Sequence, residues 1–113
     1  MMAAKGKSGE ELFWELATPH LASPGIAEGT MMGSRCLRVG GEFTGMIDVR
    51  TGELILKLPR ERVDALVASG KTEPFAPNGR VFKEWTLVPH GDRRAWKRLI
   101  DEAVAFARDG AAS

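Results

Sequence analysis

Residues 30–59, TMMGSRCLRVGGEFTGMIDVRTGELILKLP, decide the fold of this chain. Extended runs in this segment are separated by two glycine-containing pairs, Gly40-Gly41 and Thr51-Gly52. Pairs of this kind are typical of tight hairpin turns. The segment therefore predicts a meander of three antiparallel strands, the first of which runs from Met31 to Val39.

The second and third runs predict a sheet with one more apolar face. Apolar residues recur there at every second position, which is the period of a strand. They are Phe43, Gly45, Ile47 and Val49 in the second run, and Leu54, Leu56 and Leu58 in the third. We expect helices to cover this face. The opposite face, with Thr44, Met46 and Ile55, is expected to be open to a protein partner or a second copy.

Helix and strand signals continue on both sides of the meander. Ser8 and Glu11 have the spacing of a capping box, and Pro19 predicts the end or a kink of that first helix near Thr18. Pro59 predicts the first turn of a middle helix, and Asp92 the cap of a last helix that ends at Gly110. Two further strands are predicted between these helices, at 72–75 and 81–88.

The predicted order is thus α-β-β-β-α-β-β-α. It describes a two-layer α+β domain, with five antiparallel strands and the helices on one face. We expect a flexible N-terminus over residues 1–8, a single domain over 9–109 and a flexible tail over 110–113.

Composition limits the class of protein. The chain has 113 residues, enough for one core, and 43% apolar with 27% charged residues is ordinary for a globular protein. Its formal net charge of +1 provides no strong overall field for nucleic acid. No apolar run approaches the roughly 20 residues of a membrane span, the N-terminus lacks a signal-peptide pattern, and Cys36 is the single cysteine. These features predict a cytoplasmic protein without a membrane association.

Several motifs resemble the TfoX N-terminal and YjbR-like (MmcQ/YjbR) families of small bacterial proteins. They are Met32-Gly33 through Cys36-Leu37, then Gly41-Glu42-Phe43, then Leu56-Lys57-Leu58-Pro59, and finally the run from Phe75 through Gly79-Arg80 and Lys83-Glu84-Trp85 to Val88-Pro89. The likeness covers roughly residues 12–107. The residues that carry it most clearly are Gly33, Lys57, Pro59, Gly79, Lys83, Glu84 and Trp85.

The resemblance implies a secretion-chaperone-like α-β(3)-α-β(2)-α fold, in agreement with the order read from the residues. It also implies an association with DNA or transcription, because the family name comes from a regulator of natural competence. This chain has no counterpart of the second domain of the full-length competence regulators. Lys83 and Glu84 have an equally plain structural interpretation as a pair across strands.

Catalytic patterns are not found in the sequence. Cys36 has no activating motif around it, and His20 and His90 are isolated, so no nucleophile–base pair is indicated. No metal-ligand spacing or phosphate-binding glycine loop occurs, which predicts neither metal nor cofactor. We therefore expect a protein that is not an enzyme.

Two predicted helix starts are unusually basic. Lys57 and Arg60 lie at the start of the middle helix, and Arg93 and Arg94 at the start of the last one. Cations are unfavourable at the positive end of a helix, so these four side chains suggest a site for an anion such as a phosphate backbone. The alternative is that nearby carboxylates neutralise them and that their stems cover apolar surface.

The sequence predicts a binding module whose partner is another protein or a second copy of itself. DNA-associated regulation is the alternative that the resemblance implies. Trp85 and Trp96 lie at spacings typical of core positions, although tryptophans also stack on single-stranded nucleic acid. The sequence does not choose between these partners.

Overall fold

The computed structural model of the protein describes residues 8–112. The predicted flexible N-terminus, residues 1–8, lies outside them except for Ser8, and Ser113 lies outside them as well. The described chain is an α+β domain built on one open antiparallel sheet. Its helices are α1 (Gly9–Ala17), a 3-10 helix (Thr18–Ala22), α2 (Arg60–Ala68) and α3 (Arg93–Ala112). Its strands are β1 (Ile26–Met31), β2 (Ser34–Val39), β3 (Glu42–Ile47), β4 (Leu54–Lys57), β5 (Glu73–Pro74) and β6 (Trp85–Val88).

The sheet has six strands in the order β1-β2-β3-β4-β6-β5, so the predicted count of five is wrong. The predicted first strand, Met31 to Val39, covers β2 but only the last residue of β1, and Met32 and Gly33 form a two-residue turn between these two strands. Both turn residues have positive φ, 52° and 78°. Met31 pairs with Ser34 across the turn, as in a type I′ hairpin. Methionine is rare at such a position, which is why the turn was not predicted.

A β-bulge in β3 changes which side chains share a face. Leu37 pairs with Gly45 and Arg38 with Phe43, so Thr44 is an extra residue on β3. The extra residue shifts the alternation by one position. Phe43 therefore joins Met46 on one face of the sheet, although strict alternation predicts opposite faces for them.

The helices pack on one face of the sheet, as expected. Their apolar side chains form a single cluster with the strand residues Leu37, Val39, Ile47, Leu54, Leu56 and Val88. Trp96 and Phe13 are fully buried at its centre. Ser8 and Glu11 form the predicted capping box, and Asp92 accepts a hydrogen bond from the Arg94 amide at the start of α3.

The opposite face is covered as well, by its own large side chains and the segment 75–84. Phe75 is buried there, and Phe43 stacks on Trp85 with 4.3 Å between ring centroids. Residues 81–84 do not continue the last strand as predicted: the backbone turns away, and the Trp85 amide bonds to the Phe82 carbonyl. This turn lets Phe82 fold back onto Phe75 and Trp85.

Of two predicted helix ends, one is confirmed and the other is not. The first helix changes at Thr18 into a 3-10 helix that contains Pro19, in agreement with the predicted end or kink. By contrast, α3 continues past Gly110 to Ala112, so the predicted stop at Gly110 is wrong. Glycine ends a helix when it takes a left-handed conformation, and Gly110 remains helical.

Candidate functional site

The structure separates the four cations of the predicted anion site. Strands β4 and β6 are antiparallel, with Lys57 opposite Trp85 at one end and Leu54 opposite Val88 at the other. Helix α2 follows the first of these ends and α3 follows the second. Lys57 and Arg60 therefore lie at the opposite end of the strand pair from Arg93 and Arg94. The two basic helix starts do not come together in one compact site, and contact of all four side chains with a phosphate backbone stays a prediction.

The local partners of these cations differ too. Lys57 lies 3.7 Å from a carboxylate oxygen of Glu42, and Arg93 bonds to Glu15 on α1. Arg60 and Arg94 are exposed. Lys57 and Arg60 share a shallow pocket of about 410 Å³ with Phe82 and Lys83. Lys57 and Arg60 thus have cationic and aromatic neighbours, whereas Arg93 forms an ion pair between α3 and α1 and Arg94 is exposed.

The predicted partner surface on the open sheet face is not available. Thr44 is 0% exposed, Met46 4% and Ile55 2%. Met46 and Ile55 pack with Phe75 in a second apolar cluster, whose buried members are Cys36, Phe43, Met46, Ile55 and Phe75. Thr44 is the buried bulge residue. The expectation that these three side chains face solvent is therefore wrong. The reason is the segment 75–84, which lies over this face, whereas residues 81–84 are predicted to continue the last strand.

The family-like motif has structural roles in this fold. Trp85 opens β6 and stacks on Phe43, while the Glu84 carbonyl accepts a hydrogen bond from the Leu58 amide at 2.8 Å. Gly33 and Gly79 are turn residues with φ of 78° and 79°, and Pro59 is the N-cap of α2. Lys83 and Lys57 line the same pocket and form no close pair with Glu84 among residues 8–112.

The candidate nucleophile is not activated. Cys36 is fully buried in the second apolar cluster, and this burial raises the pKa of its thiol. His20 is hydrogen-bonded to Asp101, and His90 packs edge-on against Trp96. Within residues 8–112, no three His, Cys, Asp or Glu side chains are grouped so as to hold a metal. No helix in this part of the chain combines the length and apolarity needed to cross a bilayer.

The longest unpaired edge of the sheet is β1, a strand that the sequence pattern did not predict. The Gly25 carbonyl accepts a bond from the Gly40 amide, and the two-residue turn pairs Met31 with Ser34. Hydrogen-bonded and non-hydrogen-bonded residue pairs alternate along two antiparallel strands. Because Gly25 and Met31 belong to hydrogen-bonded pairs, the backbone groups of Ala27 and Gly29 also point toward β2. The backbone groups of Ile26, Glu28 and Thr30 consequently point away from the sheet.

Some of these outward groups already have partners. The Ile26 amide bonds to Ser23, and the Thr30 carbonyl accepts a hydrogen bond from Arg38, whose side chain crosses over Gly29. No described hydrogen bond uses the Ile26 carbonyl, the Thr30 amide, or either backbone group of Glu28. These unpaired donors and acceptors alternate along an exposed strand.

The other edge of the sheet is poorly suited to further pairing. It is the two-residue strand β5, and its second residue, Pro74, has no backbone amide hydrogen to donate. In contrast, β1 has six residues and no proline. The sequence of β1, Ile-Ala-Glu-Gly-Thr-Met, has no regular alternation of apolar and polar residues, so the pattern does not indicate a strand there.

Comparison of the chain with protein-family models, curated proteins and solved structures finds no match.

Proposed function

We propose that this protein is a non-enzymatic binding module that self-associates by pairing β1 with β1 of a second copy. The observation that carries this proposal is the row of unpaired backbone groups on β1, the longer and proline-free edge of the sheet. An exposed edge of this kind accepts another strand by main-chain hydrogen bonding.

The unpaired groups on β1 are complementary to themselves under a two-fold axis through Glu28. In that arrangement the two Glu28 residues exchange amide-to-carbonyl hydrogen bonds. Each Thr30 amide then faces the Ile26 carbonyl of the second copy. The groups that this register leaves over, the Ile26 amide and the Thr30 carbonyl, are the ones already bonded to Ser23 and Arg38. The register thus uses every free group and competes for none that is occupied.

The charge on β1 does not oppose this pairing strongly. Two Glu28 side chains would lie opposite one another, which is unfavourable when the charges are uncompensated. Each is held in a two-pronged hydrogen bond by Arg35 of its own chain, with contacts of 2.5 and 3.0 Å. This bond lowers the pKa of Glu28, so the carboxylate remains charged and neutralised by its arginine.

The expected affinity is modest. Each backbone hydrogen bond contributes about 1 kcal/mol net, and a strand edge buries little apolar area. The four hydrogen bonds of this register sum to about 4 kcal/mol, which corresponds to a dissociation constant on the order of 1 mM. The two helix layers would lie on the same face of one continuous sheet, because a two-fold axis normal to the sheet relates antiparallel edge strands.

Sedimentation velocity, measured over a series of protein concentrations, tests this proposal by comparing the self-association of the wild-type protein with that of Thr30→Pro. Proline removes the outward amide and places its ring where the second strand would lie, yet it is tolerated on an edge strand. We expect dimer formation in the wild-type protein and a loss of at least tenfold in association for Thr30→Pro. Thr30→Val keeps the amide and serves as the control, with association unchanged. A wild-type protein that remains monomeric up to about 1 mM contradicts the proposal.

Binding to DNA is the second candidate, and one observation favours it. Lys57, Arg60 and Lys83 lie around one open pocket together with Phe82, which is 40% exposed. Cations beside an exposed aromatic ring are a combination that holds nucleic acid backbone and base. The family resemblance supports the same partner.

The separation of the helix starts provides a matched test of the DNA candidate. Fluorescence anisotropy of labelled duplex DNA is measured at several salt concentrations with Arg60→Gln/Lys83→Gln and with Arg93→Gln/Arg94→Gln. Both variants lose the same charge. If the pocket binds DNA, only the first variant lowers the affinity and flattens the salt dependence by about one unit per lost phosphate contact. Equal effects of the two variants would mean that overall charge alone governs the binding.

A further inference from the structure

A cleft between α2 and α3 combines an apolar lining with several charged side chains. It measures about 440 Å³, within the range of small-molecule sites. Its floor consists of Leu66, Val88, Trp96 and Leu99, all of them buried. Pro89 and Ala95 add apolar area at the wall. An apolar body of a few carbon atoms or one ring fits this volume.

The rim of the cleft is predominantly cationic. Arg62, Lys71 and Arg98 line it, together with His90 and a single carboxylate, Asp92. The three permanent cations are contributed by α2, by the turn after α2 and by α3. They converge on one opening although they are far apart in sequence. Because the whole chain has a net charge of only +1, this is a local excess.

The carboxylates near the cleft are already engaged. Asp92 accepts a hydrogen bond from the Arg94 amide, which caps α3. Glu102 binds Arg62 through two hydrogen bonds of 2.9 and 3.0 Å and thereby holds that guanidinium at the rim. Lys71 and Arg98, by contrast, have no acidic partner within 4 Å among residues 8–112. Their charges remain available to a ligand.

We propose that this cleft binds a small organic anion, with its apolar body against Pro89 and Ala95 at the exposed wall. Its anionic group lies between Lys71 and Arg98. Each free cation gains a charge-assisted hydrogen bond, and the apolar body removes the exposed wall from water. This site is separate from the β1 edge, so it stands independently of the proposed self-association.

Two-dimensional amide NMR with phenylacetate as the probe tests this proposal. We expect saturable shifts of the Trp96 indole N–H, which bonds to the Pro89 carbonyl, with a dissociation constant of about 0.1–3 mM. Phenylacetamide, which lacks the charge, and acetate, which lacks the ring, are expected to bind at least tenfold more weakly. No saturable shift with phenylacetate, or equal binding of either analogue, overturns the proposal.

Charge variants locate the anion. Lys71→Gln/Arg98→Gln is expected to weaken phenylacetate binding at least tenfold, since both free cations are lost. Lys97→Gln/Arg108→Gln removes the same charge from exposed α3 positions that do not line the cleft, and binding is expected to stay within about twofold because screened surface charges act weakly. Equal losses in the two double variants would overturn the assignment.

Discussion

Gly9, in the first turn of α1, packs directly against the backbone of the loop between β3 and β4. A Cβ atom added to Gly9 would lie 2.3 Å from the Gly52 carbonyl oxygen, and backbone on both sides leaves little room to adjust. We expect Gly9→Ala to lower the free energy of unfolding by about 1–3 kcal/mol, although alanine is the better helix former by about 1 kcal/mol. Urea denaturation measures the change.

Gly110 provides the matched control for this substitution. It is also helical, but nothing lies within 4 Å of its Cβ position. Gly110→Ala is expected to leave the free energy of unfolding unchanged or to raise it by up to about 1 kcal/mol. A stabilising Gly9→Ala would show that α1 does not sit against the loop as described.

Asp101 links the 3-10 helix to α3, with hydrogen bonds of 2.9 Å to His20 and to Lys97. Burial raises the pKa of this carboxyl, but the hydrogen bonds from Lys97 and His20 outweigh burial and lower the pKa below 3.8. Because the pKa of Asp101 is lower in the folded than in the unfolded protein, the ionised carboxylate stabilises the fold at pH values above the unfolded pKa. That contribution is lost as the pH falls through the folded value.

We therefore expect the effect of Asp101→Asn to depend on pH. At pH 7 the substitution should lower the free energy of unfolding by about 0.5–1 kcal/mol, the range for partly exposed ion pairs. The difference from wild type should shrink as the pH falls below 3.8, where the wild-type carboxyl also becomes neutral. Asp109→Asn, an exposed position on α3, is the control. A difference that stays constant with pH would contradict this assignment.

The β1–β2 hairpin turns at a residue that does not favour its conformation. Met32 has a φ of 52° and is 61% exposed, so it bears backbone strain without burying its side chain. Met32→Asn is expected to raise the free energy of unfolding by about 0.5–1 kcal/mol, because asparagine tolerates the left-handed region. Thermal unfolding by circular dichroism would show this as a higher Tm. Met32→Val, which is β-branched, should lower it.

Elements with a local signal were predictable from sequence, and those that depend on distant contacts were not. The capping box at Ser8 and the glycine pair at Gly40-Gly41 each act through neighbouring residues, and both occur as predicted. The bulge at Thr44 is different, since it is defined only by pairing with β2. The fold of Phe82 onto Phe75 likewise depends on a tertiary contact that no local pattern encodes.

The candidate sites follow the same division. The basic residues at the starts of α2 and α3 were visible in the sequence, but their separation follows from the antiparallel pairing of β4 with β6. Ile55 was identified as a strand residue of the less apolar face, yet its burial depends on the segment 75–84. Sequence spacing therefore identified chemical groups without showing which of them meet.

At the scale of the whole molecule, the two edges of the sheet differ in kind. One edge ends in the short, proline-containing β5, and the other exposes the six residues of β1. Two copies that pair through β1 leave only their β5 edges unpaired, and β5 is poorly suited to further pairing. Association through the sheet therefore ends at the dimer. The protein is accordingly expected to form dimers rather than longer assemblies.

Amide hydrogen exchange at β1, followed by NMR as a function of protein concentration, tests this account most directly. Self-association predicts that the outward amides of Glu28 and Thr30 become protected as the concentration rises. The Gly29 and Met31 amides, which face β2, should be protected at every concentration and serve as internal controls. Rapid exchange of Glu28 and Thr30 at all concentrations would contradict pairing through β1.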